Sequence, residues 1–486
     1  MNRATLELFA PLDRTAAAPL RAQLEDAICD AITGGGAPPG TRLPASRTLA
    51  EALHVSRGVV SEAYAQIAAE GWIELRRGAA PIVRAVPAAG VGPHGGPLPA
   101  CTSNLKGSRP SLDSSAENGG PPSPTTPPNI KRPRPALDLT ATAPDLSAFP
   151  RRVWAAALRR VVAEMPDSAL DYGDPRGDDE LRAELAAYLV RVRGVVAAPE
   201  HLVVTGGYTQ GLWLTCRALK ARGASRVAVE DPSLDDSWAT IRSAGLEVVG
   251  LPVDEHGIRL DGLDADAVLV TPAHQFPTGA VLAPERRREL LAWGGIVIED
   301  DYDSEYRYDR APVGTLQRLA PDRVVYLGTT SKTLAPALRL GWLVAPPALA
   351  EEIARERWSV DSGGPAIDAR AYARMLVTGE VDRHLRRTRR EYRERRDALV
   401  AALEERLPRC RVTGVAAGLH LLLRLPPGTD EAAVVQQLGE RRIRIRGLAG
   451  YRLRPRDDDP ALVIGYGRLP LASIDAFVAA LESLVG

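Results

Sequence analysis

One long stretch of this chain cannot form a hydrophobic core, and it divides the chain into two parts. From about Pro87 to Pro135 the sequence is rich in proline, glycine and serine and poor in apolar residues, a composition that favours a flexible or partly extended linker. The apolar residues must therefore be buried in two separate regions. We predict folded regions over 1–86 and 138–486, joined by a linker over 87–137.

The composition of the whole chain restricts the class of protein. Its 61 basic residues balance 61 acidic residues, and 45% of all residues are apolar, which predicts a globular protein with more than one domain. No apolar run reaches the roughly 18 residues that a membrane span needs, and the first residues lack the basic start and apolar core of a signal peptide. We therefore expect a cytoplasmic protein without a membrane partner.

The reactive residue types are few. The four cysteines form no CxxC pair and the seven histidines do not cluster along the chain, so neither a disulfide framework nor a metal site is predicted. Only four lysines occur, at positions 106, 131, 220 and 332, and the other 57 basic residues are arginines. Because arginine stays protonated in proteins, chemistry that needs a neutral amine has very few candidates.

The N-terminal region shows helical patterns followed by a hairpin. Ser46 and Ser56 are candidate caps of the second and third helices. The predicted elements are helices over 19–32, 46–53 and 57–70 and short strands over 72–75 and 81–84. This order predicts a helix-turn-helix with a two-stranded wing.

The run from Pro38 to Tyr64 resembles the winged helix-turn-helix of the GntR superfamily across the turn, the caps and the second helix of the motif. In such a module Ser56 places the free N–H groups of the third helix near the DNA backbone, while Arg57 and Ser61 lie where base edges of the major groove are read. The predicted phosphate contacts are Arg42, Arg47, Arg76 and Arg77. Residues 1–84 hold nine arginines and nine acidic residues, so charge alone does not favour DNA over the alternative of a protein-interaction domain.

The region after the linker alternates apolar strands with helical patterns. Runs of valine, isoleucine and leucine predict strands buried on both faces, which is typical of an α/β domain with a largely parallel sheet. We place this large domain over 138–375. A long charged helix around Gly379 to Leu407 leads into a smaller C-terminal α/β lobe over 376–486.

Motifs in this region resemble, in type and order, those of fold type I aminotransferases. Pyridoxal phosphate needs an amine for covalent attachment, an anion at its pyridine nitrogen, a donor at its ring oxygen, and N–H groups with an arginine for its phosphate. Lys332 is the candidate amine, and the resemblance assigns Asp300 to the pyridine nitrogen and Tyr302 to the ring oxygen. The predicted phosphate contacts are Gly206, Gly207, Tyr208, Thr209, Thr329, Ser331 and Arg339.

Two further motifs complete the resemblance. The segment Thr271–Gly279 contributes His274 to the predicted cofactor site. In aminotransferases of this fold the tyrosine of the second motif, here Tyr172, reaches the phosphate of the neighbouring subunit, which implies a homodimer with shared sites. The competing interpretation of the acidic run is a divalent metal held by Asp300, Asp301 and Asp303, but no second cluster of ligands accompanies it.

A winged helix joined by a long linker to an aminotransferase-like domain is identified as a member of the MocR subfamily of GntR regulators. The resemblance implies a transcriptional regulator that binds pyridoxal phosphate and responds to the cofactor itself or to an amino compound. Leu234 stands where a ring-stacking aromatic residue is expected, and Gly450 stands near the expected position of a carboxylate-binding arginine. The candidate replacements for that arginine are Arg444, Arg446 and Arg452.

These departures predict little or no multi-turnover transamination, so no catalytic residue is assigned. Two alternatives remain. The first is a working aminotransferase with an appended DNA-binding module, and the second is a DNA-binding protein whose aminotransferase-like domain only dimerises.

Overall fold

The computed structural model of the chain describes residues 12, 14, 20–33, 36–69, 72–75, 80–84, 135–308, 313–454 and 459–485. The predicted linker up to residue 134 lies outside the described residues, and so do Arg76 and Arg77.

The N-terminal domain is a winged helix-turn-helix. It contains α1 (Leu20–Thr33), α2 (Ser46–Ala52), α3 (Arg57–Ala69) and the antiparallel strands β1 (Ile73–Glu74) and β2 (Ile82–Val83). Apolar side chains from all five elements form one core, which includes Leu24, Ile28, Leu49 and Trp72. The backbone N–H of Val59 donates to Ser56 Oγ at 3.3 Å, as expected for the cap of α3.

The expected cap at Ser46 is wrong. Ser46 is the first residue of α2, and Ala45, which precedes the helix, makes no side-chain bond to it. Because a serine is equally compatible with the position just inside a helix, the residue type alone did not locate the boundary.

The remaining elements form two sheets with helices around them. The elements up to α11 are β3 (Leu137–Asp138), α4 (Arg151–Glu164), α5 (Asp179–Arg193), β4 (Leu202–Thr205), α6 (Tyr208–Ala221), β5 (Arg226–Asp231), α7 (Asp235–Ser243), β6 (Glu247–Asp254), β7 (Gly257–Ile258), β8 (Ala267–Val270), α8 (Pro284–Trp293), β9 (Ile296–Asp300), α9 (Leu316–Leu319), β10 (Val324–Thr329), β11 (Gly341–Val344), α10 (Pro347–Asp361) and α11 (Ala366–Val377). The elements that follow are α12 (Glu380–Arg406), β12 (Arg411–Thr413), β13 (His420–Arg424), α13 (Glu431–Glu440), β14 (Ile443–Arg444), β15 (Arg446–Gly447), β16 (Ala461–Gly465) and α14 (Ile474–Val485).

The large domain is built on an eight-stranded mixed sheet with the order β4-β11-β10-β9-β8-β5-β6-β7. The central pairings from β10 to β6 are parallel, while β11 runs antiparallel to both of its neighbours. Strands β8 and β10 are buried along their whole length, which explains their continuous apolar sequences. The carboxyl ends of β5, β8, β9 and β10 meet at one edge, where open α/β sheets bind ligands.

The small lobe contains a second, four-stranded sheet with the order β12-β13-β16-β15. The segment that opens the predicted large domain belongs partly to this lobe, because β3 pairs with β14 and Leu139 bonds to Gly465. This pairing joins residues more than 300 positions apart, and a local sequence pattern does not predict it.

Within the described part of the chain, the structure contains no helix with the length and apolar character that a membrane crossing requires.

Candidate cofactor site and nucleic-acid interface

A cavity of about 370 Å³ lies at the carboxyl edge of the large sheet, between the large domain and the small lobe. Its wall includes most of the residues predicted to bind the cofactor, namely Tyr208, Thr209, Asp300, Tyr302, Thr329, Ser331, Lys332 and Arg339. The tertiary structure thus gathers into one cavity side chains that follow four different strands of the sheet.

Lys332 follows β10 and points its amine into this cavity. Its Nζ donates to Thr142 Oγ1 at 3.0 Å, and burial lowers the pKa of the amine from its usual 10.5. A lower pKa leaves a larger fraction of the amine neutral, as covalent attachment to an aldehyde requires. Lys220, by contrast, is exposed at the end of α6.

Asp300 is the last residue of β9 and is only 8% exposed. Burial, together with the neighbouring Asp301 carboxylate, raises its pKa well above the usual value. A carboxyl in this environment gains from a cationic partner such as a protonated ring nitrogen.

The three carboxylates of the acidic run do not converge on a common point. The Asp301 carboxylate accepts from Arg193 and from the Tyr326 hydroxyl, each at 2.7 Å. The Asp303 carboxylate accepts from His274. Because each carboxylate has a different partner, the run does not form the metal site of the competing interpretation.

A cup for an anion lies at the other end of the cavity. Gly206 and Gly207 precede α6, and the guanidinium of Arg339 donates to the Gly206 carbonyl. A Cβ atom at Gly207, whose φ is +100°, would lie 2.8 Å from that guanidinium, so the close approach requires glycine. The hydroxyls of Thr329 and Ser331, 3.0 Å apart, complete the cup. Free N–H groups at a helix start, hydroxyls and an arginine fit a phosphate group.

Two of the predicted cofactor residues lie away from the cavity wall. His274 is 3% exposed and lies behind Tyr302. Tyr172 is 79% exposed, with its ring 6.2 Å from that of Trp358. Within one chain, the structure therefore does not bring Tyr172 to the phosphate cup.

Only one of the three candidate arginines for a substrate carboxylate lines the cavity. Arg444 pairs with Asp138 and Arg452 with Asp459, both outside the wall. Arg446 lies in the wall, where its guanidinium makes two bonds to Asp235, at 3.2 and 2.9 Å. The same guanidinium stacks 4.1 Å above the Tyr451 ring.

Sequence reasoning missed three residues of this region. Thr142 and Asp235 lie in cavity-wall segments that matched no motif, and His420 occurs in an otherwise apolar strand. No local pattern marks these residues, because each contacts the site through distant parts of the chain.

The described DNA-binding candidates are all exposed on the N-terminal domain. Arg57 and Ser61 lie on the first two turns of α3, and Ser56 precedes them. Arg42 is exposed beside the wing, where its backbone bridges to Ile82. Arg47 is exposed but pairs with Glu51 at 3.2 Å. This arrangement presents one face of α3 to a partner, as docking in a major groove requires.

Arg57→Ala should weaken binding to a specific operator by about 1 to 3 kcal/mol, because its position fits a contact to a base edge. The matched control is Arg47→Ala, which should weaken binding to specific and random duplexes alike and by less, since Glu51 already neutralises that arginine. Gel-shift titrations on an operator selected by genome-wide binding and on a random duplex measure both. An equal loss on the two duplexes for Arg57→Ala would instead assign this residue to the phosphate backbone.

The fold and the cavity together define a DNA-binding module joined to a fold type I aminotransferase domain. Residues 135–459 match the family "Aminotransferase class I and II", and residues 20–83 match "Bacterial regulatory proteins, gntR family". The chain belongs to the GntR family of bacterial transcriptional regulators, in the MocR type that carries an aminotransferase domain.

Similar proteins agree with this assignment. The HTH-type pyridoxine biosynthesis transcriptional regulator PdxR of Corynebacterium glutamicum is 33% identical, over 92% of this chain and 91% of its own length. The probable rhizopine catabolism regulatory protein MocR of Rhizobium meliloti is 34% identical, over 82% and 79%. A crystal structure of an archaeal alanine:glyoxylate aminotransferase matches with a TM-score of 0.65 and 26% identity, over 72% of this chain and 90% of that one. The prediction of a transcriptional regulator is confirmed over that of an aminotransferase with an added DNA-binding module.

Proposed function

We propose that this regulator attaches pyridoxal phosphate covalently at Lys332, and that occupancy of the cavity by this cofactor changes its affinity for a promoter in the cytoplasm. The proposal is supported by the convergence of a buried amine, a buried carboxyl and an anion cup on one cavity. When bound, the cofactor supplies an aldehyde that condenses with a primary amine.

The residues of the chain have separable tasks in binding. Lys332, held by Thr142, provides the neutral amine. Asp300 pairs with the pyridine nitrogen and Tyr302 with the ring oxygen. The phosphate is held by the N–H groups at the start of α6, by the hydroxyls of Thr329 and Ser331 and by Arg339.

The pairing of Arg446 with Asp235 is the observation that favours the cofactor itself as the signal. A carboxylate ligand would have to displace Asp235 from a two-bond contact to reach the Arg446 guanidinium. The neighbouring Asp236 adds a second negative charge to the same wall. This part of the cavity therefore repels the carboxylate of an amino acid, while the cofactor contacts are complete.

The same observation argues against multi-turnover transamination. That reaction needs an amino acid held by its carboxylate and a ring held by stacking. Leu234 lines the cavity at the expected stacking position and has no aromatic ring. The name of the relative PdxR, a regulator of pyridoxine biosynthesis, fits a role in sensing the cofactor.

We further propose that the regulator acts as a homodimer. Five apolar side chains are exposed on the surface that carries Tyr172, an unusual feature unless a partner covers them. They are Leu170, Tyr172, Trp358, Val360 and Ile367. A second copy covering this surface would bring Tyr172 towards a phosphate cup, which one chain alone does not achieve.

The deciding experiment measures promoter affinity with and without pyridoxal phosphate. Protein stripped of cofactor is titrated against a labelled operator by fluorescence anisotropy, alone and with pyridoxal phosphate, and with pyridoxine plus inorganic phosphate as the control. We expect pyridoxal phosphate alone to change the dissociation constant by about 5- to 150-fold, the usual range of coupling between two sites. Equal affinity with and without pyridoxal phosphate, or conversion of an amino acid over many turnovers, would contradict the proposal.

A further inference from the structure

A buried cluster of three side chains lies directly behind Tyr302 and joins the large domain to the small lobe. His274 and Asp303 come from loops of the large domain, while His420 is the first residue of β13 in the small-lobe sheet. All three are at most 3% exposed. The rings of His274 and His420 lie 4.9 Å apart, centroid to centroid.

The hydrogen bonds around His274 assign the protons. Asp303 Oδ2 lies 2.9 Å from His274 Nδ1, and because a carboxylate accepts, Nδ1 carries the proton. The Tyr302 hydroxyl donates to the backbone carbonyl of His274 at 3.0 Å, and its oxygen lies 3.2 Å from the same Nδ1–H. Tyr302 is therefore held by one residue both as a donor and as an acceptor.

His420 differs from its neighbours in having no partner. Neither of its ring nitrogens makes a hydrogen bond among the described residues. Burial, with further contributions from His274 and Lys332, lowers its pKa well below the usual value, so the ring is neutral. A neutral imidazole has one donor and one acceptor, and burying both unpaired costs free energy.

We propose that His274 and His420 are positioning residues that link the ring-oxygen contact of the cofactor to the position of the small lobe. The inference rests on the proposed function. An acceptor placed beside Tyr302 takes the Tyr302 proton in a hydrogen bond, so that the proton turns away from the His274 carbonyl. The Tyr302 oxygen then accepts from Nδ1–H, which strengthens Tyr302 as a donor.

This exchange leaves a buried acceptor on the large domain and an unpaired donor on the small lobe. The His274 carbonyl has lost its hydrogen bond, and the His420 ring has none to lose. Approach of the two satisfies both groups, and this is a driving force for the small lobe to move towards the large domain when the cavity is occupied. Occupancy of the cofactor site is in this way converted into a change of lobe position.

Several charged groups act on this cluster and belong to its pH response. Those that raise the pKa of Tyr302 besides burial are Asp303, Asp300 and Glu230. Those that lower the pKa of His420 besides burial are His274 and Lys332.

The test compares His420→Leu with a matched control, His384→Leu, in the full-length protein. His384 is also buried, but its Nε2 bonds to the Thr333 carbonyl at 2.8 Å. We expect His384→Leu to lower the melting temperature of cofactor-free protein, and His420→Leu to leave it unchanged or raise it, because leucine removes an unsatisfied polar group. Addition of pyridoxal phosphate should slow hydrogen exchange of the peptide that contains β13 in wild type and in His384→Leu, but not in His420→Leu.

Two variants of His274 test its part in the link. His274→Asn keeps an N–H close to the position of Nδ1, whereas His274→Leu removes the donor. We expect His274→Leu to weaken pyridoxal phosphate binding about tenfold and to raise by about one unit the pH at which the visible band of the bound cofactor changes. His274→Asn should restore both values towards wild type, which a purely structural role of the ring would not produce.

The outcomes separate this inference from the proposed function. Failure of the wild type to bind pyridoxal phosphate would remove the proposed function. Binding by the wild type with the same exchange response in His420→Leu would overturn only the link. A divalent metal ion that copurifies one-to-one with the wild type and is lost in His420→Leu would also overturn it, since donor atoms of His274, Asp303 and His420 lie within 4.8 Å of one another and would then be metal ligands.

Discussion

Lys332→Ala should abolish covalent attachment of pyridoxal phosphate while the protein remains folded. Lys332 has one hydrogen-bond partner, Thr142, in a cavity wall, so truncation leaves neither a buried charge nor a core cavity. Incubation with pyridoxal phosphate, borohydride reduction and mass spectrometry of peptides measure the loss. The visible absorbance band should disappear together with the reduced adduct.

Lys220→Ala is the matched control for this experiment. Lys220 is exposed at the end of α6, so its removal should leave the adduct and the band unchanged. The assignment of Lys332 would be contradicted by an adduct on Lys220, Lys106 or Lys131, or by an undiminished adduct in the Lys332→Ala protein.

Two adjacent carboxylates, Asp300 and Asp301, should respond in opposite ways to the same substitution. Asp301→Asn should lower the free energy of unfolding by about 3 to 5 kcal/mol, because it leaves the Arg193 guanidinium, 2% exposed, as an uncompensated buried charge. Asp300→Asn should leave cofactor-free protein at least as stable as the wild type but weaken its binding of pyridoxal phosphate. Urea unfolding and cofactor titration of both variants measure this difference.

The sign of the pH dependence follows from the raised pKa of Asp300. A carboxyl whose pKa is higher in the folded than in the unfolded protein stabilises the fold below the unfolded value of about 3.9, and this contribution is lost as the pH rises through the folded value. Asp300→Asn should therefore gain stability relative to cofactor-free wild type as the pH rises above about 4. A loss of stability from Asp300→Asn equal to that from Asp301→Asn would show that both carboxylates are structural.

Local patterns were sufficient for the elements and for the cofactor contacts that lie within single motifs. The strands β5, β8, β9 and β10 were predicted because continuous apolar runs are typical of parallel strands buried on both faces. The glycines before α6 were predicted as an anion site for the same kind of reason. Steric space and free N–H groups at a helix start are properties of a few consecutive residues.

The assignments of individual acids and histidines were less secure because their neighbours are distant in the chain. Asp300, Asp301 and Asp303 look alike in the sequence. The tertiary structure gives Asp301 to Arg193, 108 residues away, and Asp303 to His274. His274 was predicted as a cofactor contact, whereas it lies one layer further from the cavity than Tyr302.

The sequence by itself determined the class of this protein, because the helix-turn-helix, the apolar strands, the glycine turn and the scarcity of lysine are all local properties. The tertiary structure alone decided what the cavity can bind and what lies behind it. Thr142 reaches Lys332 across 190 residues, Asp235 occupies Arg446 across 211, and His420 meets His274 from another sheet. The physical reason is that hydrogen bonds and ion pairs act over a few ångströms of space, whatever the separation along the chain, and only folding sets which groups come that close.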